Sequence, residues 1–196
     1  MLNIAVFASG HGSNFEALHH AIVDQNFSAK IVVVISNNSS SGALTLAQSF
    51  GIPALHISRR QLPEQKLFQE KILATLRTFG VNFIVLAGYM KKMDAEIIRE
   101  FPKRIINIHP ALLPKFGGEG MYGEHVHRAV IAAKEKISGA TVHFVNEEYD
   151  EGDIIEQLEV AVKDSDTPET LAQRVLGAEH RLLPSVVKKL SEKKSS

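Results

Sequence analysis

The chain contains no cysteine, which removes disulfides, thiolate nucleophiles and cysteine zinc sites together and leaves the chemistry to nine histidines and the carboxylates. It carries no net charge, since 22 basic side chains balance 22 acidic ones. Broad attraction to nucleic acid or an anionic membrane is thereby excluded, although a local basic patch could still hold a phosphate. Long apolar runs are missing too. Ile31 to Ile35 and Phe83 to Ala87 are among the longest, far short of the roughly 18 to 20 residues that span a bilayer. The start of the chain has no basic stretch leading into an apolar segment, so no signal peptide is expected. What is present, 196 residues of which 44% are hydrophobic, describes one soluble globular domain with a cytoplasmic location.

Short runs rich in Val and Ile alternate with longer helical patterns, the signature of a parallel sheet covered by helices. Strands are expected at Leu2 to Ala8, Lys30 to Ser36, Ala54 to Ile57, Asn82 to Ala87 and Arg104 to Ile108, apolar enough to be buried on both faces. Phe15, Leu18, His19, Ile22 and Val23 repeat with helical spacing, as do Phe68, Ile72, Leu76 and Phe79. After Leu113 come a glycine-rich loop, a short helix, and then Ala140 to Val145 and Ile154 to Val162, which read as an antiparallel pair. The last helix starts with Thr167 as N-cap and Pro168 in its first turn. Its stripe is Leu171, Val175, Ala178, Leu182 and Val186, and Pro184 is expected to kink or restart it. Residues 1–190 form the domain, and residues 191–196 are expected to be a solvated basic tail.

Ser9-Gly10-His11-Gly12-Ser13-Asn14 joins the first strand to the first helix. Such a turn gathers free backbone amides and the positive end of a helix dipole, a place for an anion. The plainer alternative is a tight turn with Ser13 as N-cap. Phe15 stands where a dinucleotide fingerprint would need a third glycine, and there is no Gly-Lys-Ser/Thr, so a small monophosphate fits best.

Asn107 and His109 lie two residues apart in an apolar strand, so both leave the same face, about 6 to 7 Å apart. Pro110 keeps His109 extended, and the carboxyl end of a strand is where α/β sheets bind ligands. A lone strand-end histidine is often only structural. With Asn107 beside it, an amide and an imidazole suit stabilisation of an oxyanion and movement of a proton, which points to transfer of an acyl-like group. Five of the eight residues from Asn146 to Asp153 are acidic. Solvation explains most such turns, but one carboxylate, Asp150 in first place, could reach the histidine and fix its tautomer. Glu179 falls on the inward face of the last helix, where a carboxylate needs a partner. His125-x-His127 and His19-His20 are weak metal patterns without a third ligand, and no metal is expected.

With these residues in view, the chain resembles the glycinamide ribonucleotide formyltransferases across nearly its whole length. The resemblance rests on Gly10-His11-Gly12-Ser13-Asn14, Leu86-Ala87-Gly88-Tyr89-Met90, Asn107-Ile108-His109-Pro110-Ala111-Leu112-Leu113-Pro114, and Val142-His143-Phe144-Val145 followed by Asp150 and Gly152. It implies a single-domain, Rossmann-like three-layer α/β fold whose mainly parallel sheet has antiparallel strands at the C-terminal end. It also implies Asn107, His109 and Asp150 as catalytic, Gly12, Ser13 and Asn14 on a substrate phosphate, and Glu179 on a ribose. A pterin pocket would be lined by Met90, Lys91, Lys92 and Met93 and by Asn107, Asn146, Glu147, Glu148, Tyr149 and Asp150. The implied co-substrate is 10-formyltetrahydrofolate, with formyl transfer to the amine of glycinamide ribonucleotide through a tetrahedral intermediate in purine biosynthesis. The implied partners are these small molecules, with no nucleic acid and no membrane, in a monomer or a homodimer.

The chain departs from the family pattern in having Gln65 and Lys66 where an arginine often stands near the folate tail. Its Phe116 to Val126 segment, with four glycines, is longer than in some relatives and could serve as a lid. Formyltetrahydrofolate deformylases and methionyl-tRNA formyltransferases resemble the same Asn, His and Asp, but usually carry a further domain for which 196 residues leave no room. A non-catalytic nucleotide-binding module would explain the glycine turn and leave Asn107, His109 and Asp150 without a task.

Overall fold

The computed structural model of the chain describes residues 1–193. Strands β1 (Leu2–Phe7), β2 (Ala29–Ser36), β3 (Ala54–His56), β4 (Phe83–Leu86), β5 (Ile105–His109), β6 (Ile137–Phe144) and β7 (Ile154–Ala161) form one sheet in the order β3-β2-β1-β4-β5-β6-β7. The first five run parallel, and β6 and β7 are antiparallel. Alternation along β1 shows how the sheet separates two cores. Ile4 and Val6 face one side with α1 (Ser13–Gln25), α2 (Gly42–Ser49), α5 (Glu124–Ala132) and α6 (Pro168–Lys193). Ala5 and Phe7 face the other, against α3 (Gln65–Thr78) and α4 (Ala95–Glu100). Among the described residues no helix is long and apolar enough to cross a membrane.

Every expected strand is present, within one residue at most ends, but β6 begins at Ile137, three residues earlier than the apolar run suggests. The expectations need correction elsewhere. The α1 N-cap is Gly12, at φ 88°, and not Ser13, which is the first helical residue. Val23, expected on the buried face, is 62% exposed in the last turn of α1. Pro184 does not restart α6, which is one helix from Pro168 to Lys193. An interior proline costs about 3 kcal/mol, and burial of Leu182, Leu183, Val186 and Val187 around it offsets that cost. The same helix carries order past residue 190. Ser191 is buried, and its Oγ–H donates to Lys188 O at 2.7 Å, so the expected tail does not begin there. Lys194 and the terminal serines lie outside the described residues. The Thr167 cap is present, with its Oγ1 accepting from Thr170 N at 3.3 Å.

The chain order reverses at β1, with β2 and β3 on one side and β4 and β5 on the other. A crevice at the carboxyl ends of the strands beside such a reversal is where doubly wound folds bind ligands.

Candidate active site

A cleft of 740 Å³ opens there, walled by the turns after β1, β4 and β5, the β6–β7 turn, the glycine-rich loop and α6. Its chemical centre forms where β5 meets β6. Register pairs Asn107 with His143 and His109 with Thr141. Cross-strand neighbours touch, and Asn107 Nδ2 accordingly meets His143 Nε2 at 3.1 Å. His143 Nδ1–H donates to Phe144 O at 2.9 Å, which leaves Nε2 as the acceptor. Asp150 completes the group. Its Oδ1 lies 3.4 Å from Asn107 Nδ2 and 3.5 Å from His143 Nε2, and its Oδ2 lies 3.5 Å from His109 Nδ1.

The glycine-rich loop closes over this cluster. His109 Nε2–H donates to Phe116 O at 2.8 Å, and Gly118 N–H donates to Asp150 Oδ2 at 3.0 Å. Burial pushes the His109 pKa below that of a free imidazole, against the opposing pull of Asp150 and of the Phe116 carbonyl. A neutral ring can donate to only one of these two acceptors at a time, whereas an imidazolium donates to both. Burial pushes the Asp150 carboxyl upward, but the neighbouring imidazoles of His143 and His109 and the Gly118 amide together hold it below the usual carboxylate range. The pair is therefore an anion beside an imidazole that a proton would stabilise.

At the far end of the cleft, α1 starts without a side-chain cap, so its first amides are free. Gly12 fits there because a Cβ would lie 2.7 Å from Ala43 Cα at the start of α2. Gly10 O holds α2 in place by accepting Ser41 Oγ–H at 2.8 Å and Ala43 N–H at 3.2 Å. Asn14 Nδ2 donates to Glu179 Oε2 at 2.6 Å, in a contact buried between α1 and α6. Burial pushes the Glu179 carboxyl up to about 7, against the lowering effect of that hydrogen bond. Between the two ends, Leu86, Tyr89, Met90, Met93 and Val145 give the cleft an apolar wall. Such a wall, with Asn107 and backbone polar groups at its edge, suits a flat heteroaromatic ring.

Comparison with known proteins gives this geometry its context. The sequence pattern described as formyl transferase matches residues 2–187. The chain belongs to that family. Within it, the chain is 45% identical over 192 residues to the chloroplastic phosphoribosylglycinamide formyltransferase of Arabidopsis thaliana, covering 97% of this chain and 66% of the relative. The enzyme of that name from Bacillus subtilis is 36% identical, with 97% of this chain and 95% of the relative covered. The crystal structure of glycinamide ribonucleotide transformylase 1 from Symbiobacterium toebii superposes with a TM-score of 0.92 at 36% identity, covering 98% of this chain and 89% of that one.

The formyl transferase fold brings most of the expected residues together. His11, Asn14, Met90, Lys91, Lys92, Met93, Asn107, His109, Asn146, Glu148, Tyr149, Asp150 and Glu179 all line the one cleft. Gly12 and Ser13 do not line it. They join His11 to Asn14, which do, at the start of α1, while Glu147 faces an adjoining cavity of 610 Å³ that also contains Arg59 and Arg60. His143 has no assigned role in the sequence reading, although it touches both Asn107 and Asp150. Its sequence signal is its place in the Val142-His143-Phe144-Val145 motif, which carries no role for it there. Of the histidines considered for metal, His127 is buried and His125 is exposed, since residues two apart on a helix face different ways. Among the described residues no group of three or more His, Cys, Asp or Glu is placed to hold a metal ion.

Proposed function

We propose that the chain transfers the formyl group of 10-formyltetrahydrofolate to the amine of N1-(5-phospho-D-ribosyl)glycinamide, a step of de novo purine biosynthesis. One observation carries this reading. A cluster of buried His109 and His143 with half-buried Asn107 and Asp150, and an uncapped helix start beside a buried carboxylate, share one cleft. In this reading the free amides at Ser13 and Asn14 take the phosphate, and Glu179 takes ribose hydroxyls. The apolar wall from Met90 to Met93, with the backbone from Asn146 to Asp150, receives the pterin.

The amine attacks the formyl carbon, and negative charge develops on the formyl oxygen. Asn107 Nδ2–H and His109 Nε2–H, the latter exchanging Phe116 O for the new anion, stabilise that charge. Asp150 favours the imidazolium of His109 and guides the proton, directly or through water, from the attacking nitrogen to the departing folate nitrogen. With the glycine-rich loop seated, water is held away from the formyl group.

The substrates named for the relatives, a cytoplasmic setting and the identity of the phosphate ligand belong to this proposal. The Arabidopsis relative's name points instead to a plastid, and cell fractionation distinguishes the two. The test of activity is a coupled assay of purified protein that follows folate deformylation with and without glycinamide ribonucleotide. Turnover is expected only with the amine present and should match N-formyl product mole for mole. Formate release at an undiminished rate without the amine would establish a hydrolase instead.

A further inference from the structure

Four imidazoles line the cleft, and three are accounted for by their surroundings. His109 has Phe116 O on one nitrogen and Asp150 on the other. His143 has Phe144 O and Asn107. His11 is exposed. His127 is different. It is only 4% exposed and lies on the inward face of α5 with Val126 and Val130. Among the described residues its Nδ1 is sealed from solvent without a hydrogen-bond partner, while Nε2 is neither sealed nor bonded; the residue lines the cleft, so Nε2 is the nitrogen that can meet a ligand there. A buried polar group left unpaired beside a cleft is a candidate for work on a ligand.

The reaction has a task that the other imidazoles do not cover. The amine of an α-amino amide has a pKa of about 8, so near pH 7 it arrives mainly as an ammonium ion, which has no lone pair for attack. One proton must leave first. Resting on the formyl-transfer reading above, we propose that His127 is the base that takes this first proton from the substrate ammonium. The imidazole becomes imidazolium, and the freed lone pair forms the new bond to the formyl carbon. The second proton on the attacking nitrogen passes to the folate nitrogen as its bond to the formyl carbon breaks. The imidazolium returns its proton to solvent before the next turnover, so one proton is released per transfer.

The surroundings keep His127 available as a base. Burial first, and then the nearby His109, push its pKa below that of free imidazole, with Glu124 opposing them. Its titratable surroundings are His109 at the end of β5, Glu124 on its own helix, and Glu169 and Glu179 from α6 on the same cleft. A dry cleft lowers the pKa of the bound ammonium as well, so donor and acceptor are shifted in the same direction.

The experiment measures kcat/KM for the amine substrate from pH 6 to pH 9.5 at saturating formyl donor, in wild type, H127Q, H127F and H125Q. Folding of each is checked by circular dichroism and thermal melting. Without the base, only substrate that is already neutral reacts. H127Q and H127F should therefore lose about tenfold at pH 7, where about one amine in ten is free, and come within about twofold of wild type at pH 9. H125Q, altered at an exposed position of the same helix, should follow wild type throughout. A loss of the same size at every pH would mark the ring as structural and overturn the inference, as would wild-type profiles in both His127 variants. Wild type that forms no N-formyl product at any pH overturns the formyl-transfer reading and this inference with it.

Discussion

Asp150 sits at φ 57°, a left-handed conformation that asparagine tolerates at least as well as aspartate. Asp150→Asn therefore keeps backbone and shape while removing the charge between His109, His143 and the Gly118 amide. Single-turnover formyl transfer should slow by on the order of 100-fold or more with both substrates still bound. The exposed neighbour Glu151, changed to Gln, should leave the rate near wild type. Equal rates in both variants would reduce Asp150 to a solvated turn residue. Glu179 makes a prediction about stability. Its folded pKa of about 7 exceeds that of an unfolded glutamate, so the native state binds the extra proton, and stability falls as pH rises from about 4.5 to 7. The loss is at most roughly 3 kcal/mol. Glu179→Gln should raise the melting temperature of the ligand-free protein at pH 8 and change it little at pH 5. A melting temperature unchanged at pH 8 would count against a buried, proton-holding carboxylate. Asn107 and His109 were legible in the sequence because strand geometry alone puts them on one face. His143 was not, because its contact depends on how β6 registers against β5, and one sequence does not display that register.

At the level of elements, the glycine turn is held by α2, a helix that sequence periodicity left unmarked. Its eight residues, Gly42–Ser49, are too few for a convincing repeat, and the six of α4 are fewer still. The long strands and α6 were legible because runs of buried Val, Ile and Leu mark them. The continuity of α6 through Pro184 was not, because packing on both sides of the proline outweighs its local preference. Gly12→Ala tests the α1–α2 junction. At φ 88° and with Ala43 Cα 2.7 Å from the added carbon, the change should destabilise the fold by about 2 kcal/mol. It should also raise KM for the ribonucleotide more than KM for the folate. Urea unfolding and the two KM values decide it, and equal effects on both substrates would separate the turn from the phosphate.

Across the whole molecule, burial lowers the pKa values of His19, His109, His127 and His180. As pH falls below about 6.5, the unfolded chain takes up protons that these native imidazoles refuse, and stability is lost down through their folded pKa values. Glu179 acts in the opposite direction and is removed in Glu179→Gln. Calorimetry of that ligand-free variant should show a melting temperature that drops between pH 7 and pH 5, and a flat or rising trend would refute the contribution of the imidazoles. The segment carrying Phe116 and Gly118 has a further consequence for the molecule. Because it reaches His109 with one carbonyl and Asp150 with one amide, seating the segment and aligning the two side chains are a single equilibrium. A ligand that binds the seated state better by about 1.4 kcal/mol multiplies the ratio of aligned to unaligned molecules tenfold. Selectivity for an amine over water then resides in a population that the correct substrate enlarges, and a mutation far from the reacting atoms can erode it by favouring the unseated state.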